Sequence, residues 1–410
     1  FMDTLNTRRG WTVTLAGTGV NLALGILYAW SVIKGAIPDD WGWNNADKAL
    51  PYSVACILFA IAMVPAGRLQ DRFGPRIMVA IGGALVGLGF LVAGFMGSSL
   101  SGFVAGFGVL AGLGIGCCYS STTPAAVKWF PPAKTGLIAG IVVAGFGLAS
   151  VYIAPLATWL LGRSGVSTTM MVFGVAFFIV ISLLSLLIRN PGADEVPQKP
   201  APAKDAAATA AVARPDMTWK QTLSNAQFYV LWFMFFAGSA AGLTFISIAQ
   251  DLGKASLGEL AFIVVAVLAV GNAGGRILAG TVSDRIGRPW TVFGTMLLQA
   301  ATVGILYLTK GGASWPVILL IIISIGANYG SNLALFPSSA KDYFGLKNFG
   351  LNYGMLFTAW GMAGLIMPWV NGRIKDATGA NDLSFAIIIA LLLVSAGLTF
   401  ISRRLAARPA

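Results

Sequence analysis

The sequence predicts an all-α membrane protein of twelve transmembrane helices, arranged as two parallel six-helix repeats around a central cavity. Three observations carry that prediction. Hydrophobic residues make up 57% of the chain and charged residues only 10%, with a mean hydropathy of +0.79, far from the roughly 25% charge usual in a soluble domain. The apolar residues fall in twelve runs, each long enough to cross a hydrocarbon core of about 30 Å. Two separate stretches of the first half also recur in the second half at nearly the same displacement.

The twelve runs lie near 11–36, 50–67, 77–97, 100–121, 136–161, 168–188, 227–250, 257–282, 290–309, 314–335, 349–372 and 383–402. Each is continuous rather than alternating. In lipid every backbone amide must be satisfied internally, so such runs select helices over a barrel. Glycine, at 51 of 410 residues, exceeds its usual share of about 7% and suits helices whose backbones touch. The first run follows Arg8 and Arg9 without a small-residue cleavage site and reads as a retained helix, not a removed signal peptide. Cys56, Cys117 and Cys118 fall within runs and read as small packing residues without a disulfide framework. The chain has no histidine, which removes imidazole metal ligation and leaves proton handling to other groups. No metal and no cofactor is expected.

The net charge of +12 raises the question of nucleic acid, and its distribution answers it. With both termini cytoplasmic, 19 of the 27 lysines and arginines fall on or beside the inner stretches and seven on or beside the outer ones, while Arg276 alone reads as buried deep within a run. This is the positive-inside pattern, as expected of a multi-pass protein of the cell's inner (cytoplasmic) membrane. No basic groove with interleaved aromatics appears, and no obligatory protein partner is evident. The stretch "NPGADEVPQKPAPAKDAAATAAVARPDMTWK" has no apolar face and reads as a flexible linker. It divides the chain into a six-helix bundle at 1–189, a cytoplasmic linker at 190–225 and a second bundle at 226–410.

"GRLQDRFGPR" from Gly67 matches "GTVSDRIGRP" from Gly280 at a displacement of 213. "PAAVKWFPPAKTGLIAGIVVAGFGLA" from Pro124 matches "PSSAKDYFGLKNFGLNYGMLFTAWGMA" from Pro337 at 213 and then 214. An even number of helices between copies keeps both halves in one orientation, and such halves rock about a site near the midplane. The duplicated D-R-x-G turns, Asp71-Arg72 and Asp284-Arg285, are candidate gating residues. There a carboxylate can cap a neighbouring helix and pair with an arginine when the inner gate shuts; a plain basic turn is the alternative. Gly136 and Gly140, repeated as Gly350 and Gly354, read as close-packing positions. The glycines at 112, 114 and 116 follow no strand, so they form no dinucleotide loop.

Arg276 breaks the symmetry. It stands in "GNAGGRILAG", about eight residues or roughly 12 Å from the charged end of its helix. An arginine at such depth costs about 2.5–3.5 kcal/mol on insertion scales. The 15 acids all lie in loops or at run ends, and the deepest, Glu259, precedes Arg276 by 17 residues on the same helix, about 25 Å away. The counter-charge is therefore an anionic ligand, or else the arginine is held by carbonyls and tyrosines. A guanidinium fork fits a planar carboxylate. At the displacement of 213 Arg276 corresponds to Met63 and Asn272 to Phe59. Asn272 can hydrogen-bond a ligand but cannot titrate. Tyr28, Tyr119, Tyr329, Asn328 and Asn332 lie within apolar runs and need partners, whether substrate or another helix. Leu27, Phe357 and Trp360 suit the lining of a methyl-bearing tail, or simple core packing.

The two D-R-x-G turns resemble the loop motif of the major facilitator superfamily, and the likeness runs through essentially the whole chain. More narrowly, "DDWGWNNAD" and "KWFPPAKTGLIAGIVVAGFG" resemble the monocarboxylate porter group, which includes lactate and pyruvate proton symporters and oxalate–formate exchangers. The resemblance implies a secondary transporter, not an enzyme, with a basic residue on the eighth helix that matches Arg276. Many members place a proton-coupling aspartate one turn before that arginine, where this chain has Asn272. The resemblance implies that exchangers of the dicarboxylate oxalate need a second cation, on the eleventh helix after a "YTA"-like stretch, whereas the matching "LFTAW" here ends in Trp360. A dianion facing one cation leaves a charge unpaired in low dielectric, which favours a monoanion. The expected activity is symport of a proton with a small monocarboxylate such as lactate or pyruvate. Asp251 and Glu259 are the proton-coupling candidates, or else solvated surface acids. The alternative is a carboxylate exchanger without proton coupling.

Overall fold

A computed structural model of the chain describes residues 2–130, 135–192, 195, 216–309, 314–345 and 348–406. Most of the linker expected at 190–225 lies outside the described residues, as does Lys134. The first span is α1 (Met2–Leu24), a 3-10 turn (Gly25–Ala29) and α2 (Trp30–Gly35). α3 (Asn45–Phe73) and α4 (Pro75–Met96) follow, and then α5 (Leu100–Phe103), a π-helical stretch (Val104–Ala111) and α6 (Gly112–Val127) in one span. α7 (Thr135–Ser185) is two spans, because Gly165 breaks its helical backbone at φ 70°, ψ 178°. Beyond the linker come α8 (Trp219–Leu223), α9 (Ala226–Leu257), α10 (Phe262–Ile286), α11 (Arg288–Thr309), α12 (Trp315–Phe344), α13 (Phe349–Thr378) and α14 (Asp382–Ala406). Among the described residues eleven helical stretches are long and apolar enough to cross a membrane; the break at Gly165 divides one of them in two and gives the twelve spans expected. The described residues contain no strand.

Several helices outrun their apolar cores, because capping rather than hydropathy sets their ends. α3 starts five residues before its predicted run, where the Asn44 side chain accepts from the Asp47 amide at 2.8 Å and Asp47 accepts from the Asn44 amide at 3.1 Å. That reciprocal capping box satisfies two otherwise orphaned donors. At the other end, the two glycines of the repeated turns, Gly74 and Gly287, take φ of 86° and 87°. A side chain is disfavoured there, so the repeat preserves a backbone conformation as well as a charge pattern.

The carboxylates of the two turns find different partners. Asp71 pairs with Lys128 at 3.8 Å, not with an arginine, and α4 starts without a side-chain cap. Lysine meets it because α6 ends there, with Lys128 as its C-cap residue. Asp284 pairs with Arg288, 3.4 Å away, and Arg288 also reaches Asp342 at 2.7 Å. Arg72 covers the Phe73 ring, and Arg285 is exposed.

The turns follow two and eight spans, even counts that put both at the end of the molecule that carries the termini. Spans from before and after the linker meet along two seams, α3 on α13 and α7 on α10. At the far end Asp376 of α13 ties the first seam. One oxygen accepts from the Asn45 amide and the Asn45 side chain, both at 2.8 Å, and the other from the Ala46 amide at 3.0 Å. A carboxylate thus caps the positive end of α3 from across the interface.

Candidate functional site

α10 sets Asn272 and Arg276 one turn apart on a single face. Its depth against α12 is fixed by Gly275, where a Cβ would lie 1.9 Å from the Ala327 carbonyl oxygen. Only a glycine permits that approach, and the next residue is the arginine. Arg276 is half-buried: its Nε donates to Asn272 Oδ1 at 3.1 Å and its Nη1 to the Val143 carbonyl of α7 at 3.2 Å. Among the described residues no carboxylate comes within ion-pair distance of it. A guanidinium has five N–H donors; beyond these two bonds the Tyr119 hydroxyl stands within its hydrogen-bonding reach, which still leaves donors to spare. Its Nη2 faces Gly147, which presents no side chain. Asn272 is buried, and its Nδ2 has no partner.

Beside this pair an aromatic box closes around a space of about 10 Å3, lined by Tyr28, Phe59, Tyr119, Phe146, Leu333, Phe357 and Trp360. That is room for about one water, so the centre of the molecule is closed in this structure. The rings pack edge to face, with Phe59 at 5.2 Å from Tyr119 and 5.1 Å from Trp360, while Phe357 stacks on Trp360. Trp360 Nε1 donates to the Tyr329 hydroxyl at 2.7 Å, and Tyr329 and Tyr28 share a hydrogen bond of 2.8 Å. An indole is a donor only, so Tyr329 accepts from Trp360; the two tyrosines share one hydrogen bond in which either can donate, which leaves one of their two protons over at the wall of the box.

The structure thus gathers Arg276, Asn272, Tyr28, Tyr119, Tyr329, Phe357 and Trp360 in one region. Other candidates stand apart. Leu27 is fully buried but does not line the box. Asn328 spends its amide on the Ser324 carbonyl of its own helix at 3.0 Å. Asn332 packs against Gly238 of α9 with both polar atoms unpartnered. Asp251 lies at the far end, 3.9 Å from Lys34 and 3.4 Å from Lys375, and Glu259 is exposed in the turn before α10. Neither acid lines the central box.

Phe59, Phe146, Leu333 and the Val143 carbonyl were not anticipated, yet the repeat held a signal for three of them. Phe59 is the counterpart of Asn272 at the displacement of 213, and Phe146 and Val143 are those of Trp360 and Phe357 at 214. The two halves put equivalent positions on the same central space. Leu333 carries no such signal.

Twelve apolar spans, two seams between the halves and polar groups gathered at mid-depth define a multi-pass membrane transporter. The chain belongs to the Major Facilitator Superfamily, whose family model matches residues 13–368. It is 29% identical over 384 residues to the oxalate:formate antiporter of Oxalobacter formigenes, covering 93% of this chain and 88% of that one. It is 25% identical over 400 residues to human monocarboxylate transporter 11, covering 94% and 81%. Among solved structures it resembles a D-xylose-proton symporter with a TM-score of 0.74 at 15% identity, covering 95% and 97%. That last likeness is one of fold.

Proposed function

We propose that the protein carries small monocarboxylates across a cell's inner membrane by alternating access, with both termini cytoplasmic and the substrate carboxylate held by Arg276. The observation that carries this reading is the guanidinium itself, at mid-depth, with donors to spare and no carboxylate partner among the described residues. The Asn272 amide, unpartnered among the described residues, and the spare proton of the Tyr28–Tyr329 pair add two more donors. All of them suit an acceptor-only ligand, and the single cation limits its charge to one. The names of the antiporter and monocarboxylate relatives point the same way. Lactate and pyruvate fit the box once it widens.

Proton symport is the coupling mode inferred from the sequence, with Asp251 and Glu259 as carriers. A specific observation favours exchange as a second reading: among the described residues no acid lines the central space to neutralise Arg276 when the site is empty. An uncompensated guanidinium opposes closure of the unloaded carrier, so return would require cargo. Liposomes containing the purified protein separate the two. Symport predicts that an imposed inward proton gradient drives labelled lactate into empty vesicles. Exchange predicts negligible net uptake there and strong acceleration by internal lactate. Absence of lactate movement under both conditions overturns the monocarboxylate reading.

A further inference from the structure

A second, larger cavity of about 320 Å3 opens at the far end. Its walls come from both sides of the interface: Lys34 to Asp39 with Asn45 and Lys48 on one side, Asp251, Lys254 and Lys375 on the other. Four ammonium groups therefore share one concave space with two carboxylates, Asp39 and Asp251. Lys34 is only 4% exposed, yet its ammonium comes no closer than 3.9 Å to Asp251 and donates no hydrogen bond among the described residues. Lys375 takes the near side of the same carboxylate at 3.4 Å. Lys254 reaches only the Gly35 carbonyl at 3.4 Å. Lys48 reaches the Ile37 carbonyl at 3.3 Å and Asp39, a carboxylate that points into solvent, at 3.4 Å.

Each ammonium offers three donors, so this cavity holds far more donors than acceptors. A buried ammonium without a hydrogen bond is costly, and like charges in a concave low-dielectric wall focus a positive potential. What the cavity lacks is matching negative charge, with two carboxylates facing four ammonium groups. We infer that it is a second anion site, taking a small carboxylate on Lys34, Lys254 and Lys375 across the interface. Ammonium groups act as independent point charges, not a planar fork, so this site selects charge and size where Arg276 selects carboxylate geometry. Because its lysines come from both sides, it is assembled only while the far end is shut. A bound carboxylate joins Asp376 in holding that end closed. The inference stands apart from the central-site reading.

The test uses full-length protein in lipid nanodiscs, in wild-type form and as Arg276→Gln, which removes the central guanidinium. Rates of amine acylation at Lys254 and Lys375 are followed by mass spectrometry, with lactate as probe and chloride and sulfate at matched ionic strength. Lactate at ten times its dissociation constant leaves about one site in eleven free, so acylation slows about tenfold, in wild type and Arg276→Gln alike. Lys34→Met abolishes that protection. Should this buried variant misfold, Lys254→Gln, at an exposed position, does the same with Lys375 as reporter. Failure of lactate to protect Arg276→Gln overturns the site, as does equal protection by chloride, which is screening only. Protection by sulfate but not lactate overturns the carboxylate assignment. Loss of transport in Arg276 variants bears on the central site alone, so the two readings fail separately.

Discussion

At the residue scale the central question is what a guanidinium does that another cation would not. Arg276 spends Nε on Asn272 and Nη1 on Val143, and only its planar fork can hold those contacts while offering further parallel donors. Arg276→Lys keeps the charge and loses the fork. Lactate uptake in liposomes should fall roughly ten- to a hundredfold, the equivalent of one charged hydrogen bond of about 1.5–3 kcal/mol, with the melting profile unchanged. Unaltered uptake would remove Arg276 from the substrate site. Trp360 tests the charge argument from the other side. It lines the same box, so Trp360→Lys adds the second cation a dianion needs. The ratio of labelled oxalate to lactate uptake should rise; an unchanged ratio would show that charge count does not set the preference.

A third residue-scale prediction concerns Glu195, at the edge of the linker. The Gly192 backbone amide, then Arg189, then Arg9 hold its carboxyl down from the usual 4.5 to about 2. A folded value below the unfolded one contributes stability that is complete above the unfolded value and is lost as pH falls through the folded one. Glu195→Gln should therefore lower the melting midpoint by the same amount throughout the neutral range, and by progressively less between about pH 4.5 and pH 2. A difference that instead varied around neutrality would mean that the clasp titrates there.

At the scale of the element, the packing of α10 on α12 decides where Arg276 stands. Gly275→Ala forces a Cβ against the Ala327 carbonyl, which is backbone and cannot swing aside, at a cost of about 1–3 kcal/mol. A lower melting midpoint and weaker lactate uptake should appear together, whereas Gly280→Ala, on the same helix with open space around it, should change neither. The existence of these helices was legible in hydropathy, because lipid leaves a backbone few other ways to satisfy its amides. The 3-10 turn at Gly25–Ala29 that carries Tyr28 and the π-helical stretch at Val104–Ala111 were not legible. Composition is indifferent to whether an amide bonds three, four or five residues back. Asn328 shows the same limit on the site: a polar residue in an apolar run needs a partner, but sequence does not say that its own helix supplies it.

At the scale of the whole molecule, the repeat is the most informative signal in the sequence. It located Arg276 as the position where the halves differ. It also paired Phe59 with Asn272 and Phe146 with Trp360, and so could have predicted the aromatic wall. It could not find the lysine cavity, because Lys34, Lys254 and Lys375 are far apart in sequence and meet only when the halves close.

That closure is itself testable through Asp376. The carboxylate accepts three hydrogen bonds from the start of α3 and has to release all of them when the far end opens. Asp376→Ala removes the bonds and the negative charge at a helix N-terminus, together about 1.5–3 kcal/mol, enough to shift an open–closed equilibrium about ten- to a hundredfold toward the open form. A cysteine at Ala36, on the wall of the lysine cavity, reports the shift through its alkylation rate, since Cys56 and Cys118 are buried and Cys117 only half-exposed. The reporter should react faster in Asp376→Ala. In the wild type lactate should slow it if the cavity binds carboxylate, and that slowing should weaken in Asp376→Ala, where the two walls meet less often. Equal alkylation rates with and without Asp376 would mean that the clasp does not govern the far end, and that another contact along α3 and α13 holds it shut.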